Sequence, residues 1–238
     1  MSCRRRRPLT VLFLLLLFLA RGDGRCQLQA LLRGGDLLRI SERYGAAASG
    51  RIAAWLQLIM DGWTGTTTEK LEMVNQFFNR IPNLADRQLW QRADYWATPF
   101  ELLLVNGGDC EDFVIAKYFS LRELGVAEER LRIVYAKVFD RDGSVASHMV
   151  LAYHPGDGSE PLILDNIDTE LRPASERGDL VPVYSFQGYD LISSRQEEAK
   201  PTAAGHAPVP RWDELLERIT VREKGAPPGA AAMERDEQ

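Results

Sequence analysis

Three side chains in this sequence could together make and break a bond: Cys110, His148 and Asp165. A thiolate can attack a carbonyl, an imidazole can take and return the proton, and a carboxylate can fix the imidazole's tautomer. Cys110 stands in "NGGDCEDFVIAKYF", after Gly107 and Gly108 and with Asp109 as a plausible N-cap, so it falls in the first turn of a helix. That placement favours a thiolate, because the unpaired N–H groups and the helix dipole stabilise an anion there. The same N–H groups could hold a developing oxyanion. Asp109, Glu111 and Asp112 act the other way, since nearby carboxylates disfavour a second negative charge. Each of the three residues also has a plainer reading: an inert buried cysteine, a structural strand histidine, a turn-forming aspartate. Their order in one compact half-chain favours a nucleophilic site.

The elements must bring these residues together. Val114, Ile115, Phe119, Leu121 and Leu124 cover much of the circumference of the Cys110 helix, so it is expected to be buried, with Gly125 ending it. His148 lies in "SHMVLAY", whose alternation reads as a strand with His148, Val150 and Ala152 on one face. "PGDGSE" is a turn signal, so "EPLILDN" is expected to fold back antiparallel. Pairing Tyr153 with Glu160 places His148 directly opposite Asp165, and side chains so opposed have Cβ atoms about 5 Å apart. Contact between the thiol and the imidazole does not follow from periodicity.

Upstream, residues 28–80 read as helices, with "RIAAWLQLIMDGW" and "TTTEKLEMVNQFFNRI" each keeping one apolar face. "DRQLWQRADYWATPFELL" reads as short helical turns and loop. Downstream come strands in "LRIVYAKVF", "SHMVLAYH", "EPLILDNI", "LVPVYSFQ" and "YDLIS". Helices followed by strands with hairpin-length connections give an α+β class, helical in the N-terminal half and an antiparallel sheet in the C-terminal half. The boundaries expected are 1–25 for a leader, 26–106 for the helical part, 107–194 for the core holding Cys110, His148 and Asp165, and 195–238 for a linker, a short helix around "WDELLERI" and a Gly/Ala/Pro-rich tail.

"RRRR" followed by "PLTVLFLLLLFLA" reads as an export signal too short to span a bilayer comfortably, with an uncleaved anchor as the alternative. The cleavage site is poorly defined, and Arg25 before Cys26 argues against a lipoprotein. Residues 1–25 hold six arginines and one aspartate, so without them the net charge goes from −5 to −10. So acidic a chain is a poor binder of nucleic acid but suits a cation. Cys26 and Cys110 could pair in an oxidising compartment, but two cysteines make no disulfide framework, and a lone functional thiol is the better reading of Cys110.

"GGDCEDFVIAKYFSLRELGV", "LRIVYAKVF", "SHMVLAY" and "EPLILDN", with the upstream "LEMVNQFFNRIP" and "LWQRADYWATPFELL" and the later "DLVPVYSFQG", closely resemble the bacterial transglutaminase-like cysteine peptidases of the LapG type. The resemblance runs from about Leu37 to Ser194. It implies a papain-like, transglutaminase-like α+β fold, with Cys110 as nucleophile, His148 as general base and acid, and Asp165 as the orienting residue. It further implies a periplasmic, calcium-dependent endopeptidase. Such an enzyme would cut the N-terminal region of a large surface adhesin at a di-alanine site, and so promote release from a biofilm. Its implied controller is an inner-membrane cyclic di-GMP receptor with a periplasmic domain. Calcium ligands by this resemblance are Asp109 and Glu111, with Asp112 and Asn166 as weaker candidates. The extension after Arg195 has no role in the family pattern; its Ala203–Ala204 pair reads as linker rather than as a self-cleavage site.

Two other readings stand beside this one. A transglutaminase-like acyltransferase would use the same three residues with a different acyl acceptor. A non-catalytic calcium-binding module would explain the acids but not the presence of nucleophile, base and orienter together. Zinc is disfavoured, because Cys110 and His148 lack a short ligand-pair spacing, whereas clustered carboxylates suit calcium.

Overall fold

The computed structural model describes residues 34–139, 142–188 and 210–223. The leader, the "YDLIS" strand, the linker with Ala203–Ala204 and the C-terminal tail lie outside the described residues. Three helices open the described chain: α1 (Gly34–Tyr44), α2 (Ala46–Gly62) and α3 (Thr67–Phe78). Gly45 separates the first two at φ 87, a value that favours glycine. Thr66 and Glu69 form a capping box that starts α3. A one-turn helix α4 (Asp86–Leu89) and a short α5 (Pro99–Val105) follow, and then α6 (Cys110–Glu123).

Strands β1 (Leu131–Phe139), β2 (Val145–Tyr153), β3 (Leu162–Leu164), β4 (Arg172–Pro173) and β5 (Leu180–Phe186) form one sheet in the order β4-β3-β2-β1-β5, antiparallel throughout. The α+β expectation holds. Helix α6 packs between this sheet and α3 and α5. Phe113, Val114, Ile115, Ala116, Tyr118 and Leu121 are all buried, as the apolar residues around its circumference require. Leu131, Ile133, Met149, Leu151 and Leu164 line the sheet face of that same core. Val150, Ala152 and Ile163 form a smaller cluster with Val134 and Leu180 on the other face. Beyond the start of α6, Phe139, Val145, Val181 and Tyr184 stay exposed. Helix α7 (Pro210–Glu223) returns to the core through Trp212, which stacks on Phe119 at 5.8 Å and meets Tyr118 and Phe186 edge-on.

One expectation about register is corrected. Tyr153 pairs with Leu162, not with Glu160, so β3 is shifted by two residues from the predicted alignment. Pro161 has no N–H to give the ladder, and its carbonyl accepts the Ala174 N–H at 2.9 Å. The Ser175 N–H and hydroxyl hold the Glu160 carboxylate at 2.8 and 3.0 Å, so pairing with β2 starts at Leu162. A two-residue shift keeps every side chain on its expected face. Asp165 therefore continues β3 diagonally across from His148 instead of directly opposite, within reach of a ring nitrogen.

Candidate active site

The head of α6 is set by close packing. Asn106 ends α5 in the left-handed region at φ 56, so it, and not the glycine pair, makes the tight reversal. Gly107 and Gly108 are needed for space: a Cβ on Gly107 would sit 2.7 Å from Leu84, and one on Gly108 2.8 Å from Asp112. The Gly108 carbonyl accepts the Leu84 N–H at 2.8 Å, tying the approach to the segment after α3. Asp112 is fully buried, with one oxygen accepting the Ala97 N–H at 2.6 Å and the other the Asp109 N–H at 3.3 Å. It fastens the helix start to the chain before α5. Burial pushes its carboxyl well above the usual range, and Asp86 and Glu111 add to the push against those two N–H groups.

Cys110 is the first residue of α6, a half-buried free thiol. The Met149 backbone amide, directly after His148, favours the thiolate form. The thiol itself donates to Glu111 Oε2 at 3.0 Å. Burial, then the charge and hydrogen bond of Glu111, then Asp109, push this thiol up, and the Met149 amide only partly opposes them.

His148 is buried, and its Nε2 lies 2.7 Å from Asp165 Oδ1. Asp165 Oδ1 also accepts the Ile167 N–H at 3.0 Å, and Oδ2 takes Arg177 Nη2 at 2.7 Å. Burial opposes the charge on Asp165, but the His148 ring, the Ile167 N–H and Arg177 outweigh it and hold the carboxyl down at about 2. With Nε2 committed to Asp165, the His148 nitrogen left for proton exchange is Nδ1. The structure thus joins His148 to Asp165 by a hydrogen bond, and packs the helix headed by Cys110 on the strand carrying His148.

A second set of groups flanks the thiol. Asp86, Asp109 and Glu111 offer carboxylate oxygens that all lie within 4.8 Å of one another. Asp86 Oδ1 and Asp109 Oδ1 are buried without a hydrogen-bond partner among the described residues. Burial, then the neighbouring acids, push Asp109 up to about 9 and Asp86 up to about 6, although the Tyr95 N–H on Asp86 opposes the latter. Crowded, partly orphaned oxygen ligands of this kind fit a hard divalent cation such as calcium. Of the metal ligands expected from sequence, Asp109 and Glu111 belong to this cluster. Asp112 has both oxygens engaged by backbone N–H groups. Asn166 follows Asp165, with its side-chain amide buried and unpartnered among the described residues. Sequence reasoning missed Asp86, which sits on a one-turn helix whose local pattern carries no metal signal. It also missed Arg177, for which the only hint is a lone basic residue before Asp179 in "SERGDL".

Among the described residues no helix is long and apolar enough to cross a membrane. The model of the family "bacterial transglutaminase-like cysteine proteinase" matches residues 59–179. Among solved structures, Legionella pneumophila LapG is 36% identical with a TM-score of 0.61, covering 77% of this chain and 95% of its own. Calcium-bound Legionella pneumophila LapG is 35% identical with the same TM-score of 0.61, covering 77% of this chain and 97% of its own. EGTA-treated Legionella pneumophila LapG is 34% identical, again at 0.61, covering 77% and 95%. No curated protein matches. The chain belongs to the bacterial transglutaminase-like cysteine proteinases, and its fold is theirs.

Proposed function

We propose that this family member is a calcium-dependent thiol endopeptidase with Cys110 as nucleophile, His148 as general base and acid, and Asp165 as the orienting residue. The observation that carries the reading is the His148 Nε2–Asp165 Oδ1 bond of 2.7 Å, on the strand against which the helix headed by Cys110 packs. His148 Nδ1 takes the thiol proton, and the thiolate attacks a peptide carbonyl. The oxyanion that forms is stabilised by N–H groups at the start of α6. His148 then gives its proton to the leaving amine, and water attack, with His148 again as base, releases the acyl group from sulfur.

Asp86, Asp109 and Glu111 would hold the cation, in accord with calcium-bound and EGTA-treated forms of Legionella pneumophila LapG. Bound calcium supplies positive charge that offsets these three carboxylates. Glu111 is the link to the chemistry, because its Oε2 now accepts the thiol's hydrogen bond. Relieved of that uncompensated charge, Cys110 gives up its proton to His148 more readily. The resemblance and the basic, apolar leader support action in the periplasm. The substrate proposed is the N-terminal region of a large surface adhesin, cut at a di-alanine site to promote biofilm dispersal. The controller proposed is an inner-membrane cyclic di-GMP receptor with a periplasmic domain.

Incubation with candidate adhesin N-terminal fragments, with calcium and with chelator, tests this reading. Cleavage with calcium that stops in chelator and in Cys110→Ala is the expected result. Cleavage that survives Cys110→Ala, or no fragment cut with calcium present, would overturn it.

A further inference from the structure

Asp165 is gripped at every polar atom beyond its own N–H. Its carbonyl accepts Lys117 Nζ at 2.9 Å and Asn79 Nδ2 at 2.8 Å. Oδ1 faces His148 and the Ile167 N–H, which leaves Oδ2 to Arg177 alone among the described residues. Arg177 is only 4% exposed and is itself clamped by Asp179, with Nε on Oδ1 at 2.9 Å and Nη2 on Oδ2 at 2.8 Å. Asp168 stands farther off, 4.0 Å from Nε, and is engaged by Arg172 at 2.8 Å. The Arg177 backbone is fixed too: its N–H donates to the Ala174 carbonyl, and its own carbonyl accepts the Leu180 N–H.

We propose that Arg177 is a positioning residue of the thiol peptidase site, holding the Asp165 carboxylate in the orientation that faces His148. This rests on the peptidase reading and goes one step behind its three residues. Oδ2 has no other partner among the described residues, so without Arg177 the carboxylate could rotate about its Cβ–Cγ bond and lose the angle at which Oδ1 meets His148 Nε2. A carboxylate free to rotate would no longer fix the ring tautomer. The guanidinium fork also bridges Asp165 and Asp179 at once, which an ammonium cannot do with the same geometry. Lys117 does not replace it, since its amine bonds the Asp165 carbonyl and not the carboxylate.

The test uses Arg177→Met, Arg177→Lys and Asp179→Asn in the full chain at a fixed calcium concentration. Iodoacetamide serves as the probe, with alkylation read by mass spectrometry on the peptide that holds Cys110 because Cys3 and Cys26 also carry thiols, so no substrate is needed. A second readout is the downfield proton of the His148 Nε2–H bonded to Asp165, seen in protein labelled with 15N-histidine; the chain has only three histidines, and His148→Ala assigns the signal. In folded Arg177→Met the signal should vanish or broaden, and alkylation should slow by about tenfold or more, the usual scale for losing a group that orients a reactive imidazole. Arg177→Lys should restore only part of the rate. Asp179→Asn, which leaves Arg177 in place but frees one of its clamps, should slow alkylation by about threefold and stands as the test if Arg177→Met does not fold. Folded variants that keep both the signal and a rate within about a factor of two of the parent overturn the inference. The two failures are distinguishable: an alkylation rate unchanged by His148→Ala sinks the peptidase reading itself. A rate lowered by His148→Ala but untouched at Arg177 and Asp179 sinks only the role of Arg177.

Discussion

Replacing Asp86 with asparagine should stabilise this protein in the absence of calcium and blunt its response to calcium. In the ion-free protein Asp86 is buried beside Asp109 and Glu111, and burial with those charges pushes its carboxyl from 3.8 up to about 6. A folded-state value above the unfolded one means that the folded protein binds the extra proton, so stability falls as pH rises between the two values. The penalty is absent below pH about 4 and complete above about 6. Two units correspond to about 3 kcal/mol, a ceiling because Asp109 and Glu111 are only half-buried and water screens the cluster. Asparagine keeps an oxygen for the Tyr95 N–H but carries no charge. In chelator at pH 7.5, Asp86→Asn should therefore melt above the parent, by up to about 6–12 °C for a chain of this length. Calcium at a hundred times its dissociation constant should stabilise the parent by about 2.7 kcal/mol and the variant by far less. Thermal melts of both proteins, in calcium and in chelator, at pH 7.5 and pH 4, read all of this, and the advantage in chelator should shrink at pH 4. An Asp86→Asn protein that melts below the parent in chelator at pH 7.5, or gains as much from calcium, would refute the reasoning.

Three further outcomes follow from single contacts. Burial pushes Lys117 down from 10.5 to about 7, so between those values the unfolded chain holds the extra proton and the folded state gains stability as pH rises; in Lys117→Met that gain should disappear from urea midpoints taken at pH 7 and pH 10, and an unchanged pH slope would count against it. Trp212→Ala removes a fully buried indole from Phe119, Tyr118 and Phe186 and should cost about 3–5 kcal/mol in urea denaturation, with a loss under about 1 kcal/mol showing that α7 is not part of the folded core. Asn106→Ala should cost about 1 kcal/mol because alanine is strained at φ 56, whereas Asn106→Gly should be close to neutral, and a glycine variant less stable than the alanine one would contradict the left-handed turn.

The parts of the fold legible in the sequence are those set by local pattern. Leu131–Phe139 reads directly as a strand because its side chains alternate, and Cys110 reads as a helix start because Asp109 and the glycine pair precede a nearly all-apolar circumference. The β2–β3 register is not legible in the sequence, because the Glu160–Pro161 step is held by Ser175 and Ala174, residues that only the fold brings beside it. The parity of the pleat still brought His148 and Asp165 to each other. The role of the two glycines is not legible in the sequence, since only the packed structure shows Leu84 and Asp112 where their Cβ atoms would lie. Asp86 and Arg177 escaped notice for one reason. Each acts by tertiary contact from a short element with no periodicity of its own.

Magnitudes decide what the acids around Cys110 are for. A carboxylate placed only to complement the dipole of α6 gains about 0.3–1 kcal/mol, and one or two exposed groups would suffice. Asp86 alone carries a penalty of up to about 3 kcal/mol at neutral pH, and Asp109 is pushed up further still by the same neighbours. Dipole compensation therefore cannot account for three converging carboxylates with orphaned oxygens. The basic groups are placed elsewhere: Arg177 and Lys117 attend Asp165, and Arg211 reaches Asp94 at 2.5 Å without pairing with Asp86, Asp109 or Glu111. With no ion pair to Asp86, Asp109 or Glu111 among the described residues, their charge is left for a cation from solution. Because Glu111 accepts the Cys110 thiol's hydrogen bond, a cation held by these acids would be coupled to the thiol proton through a single carboxylate.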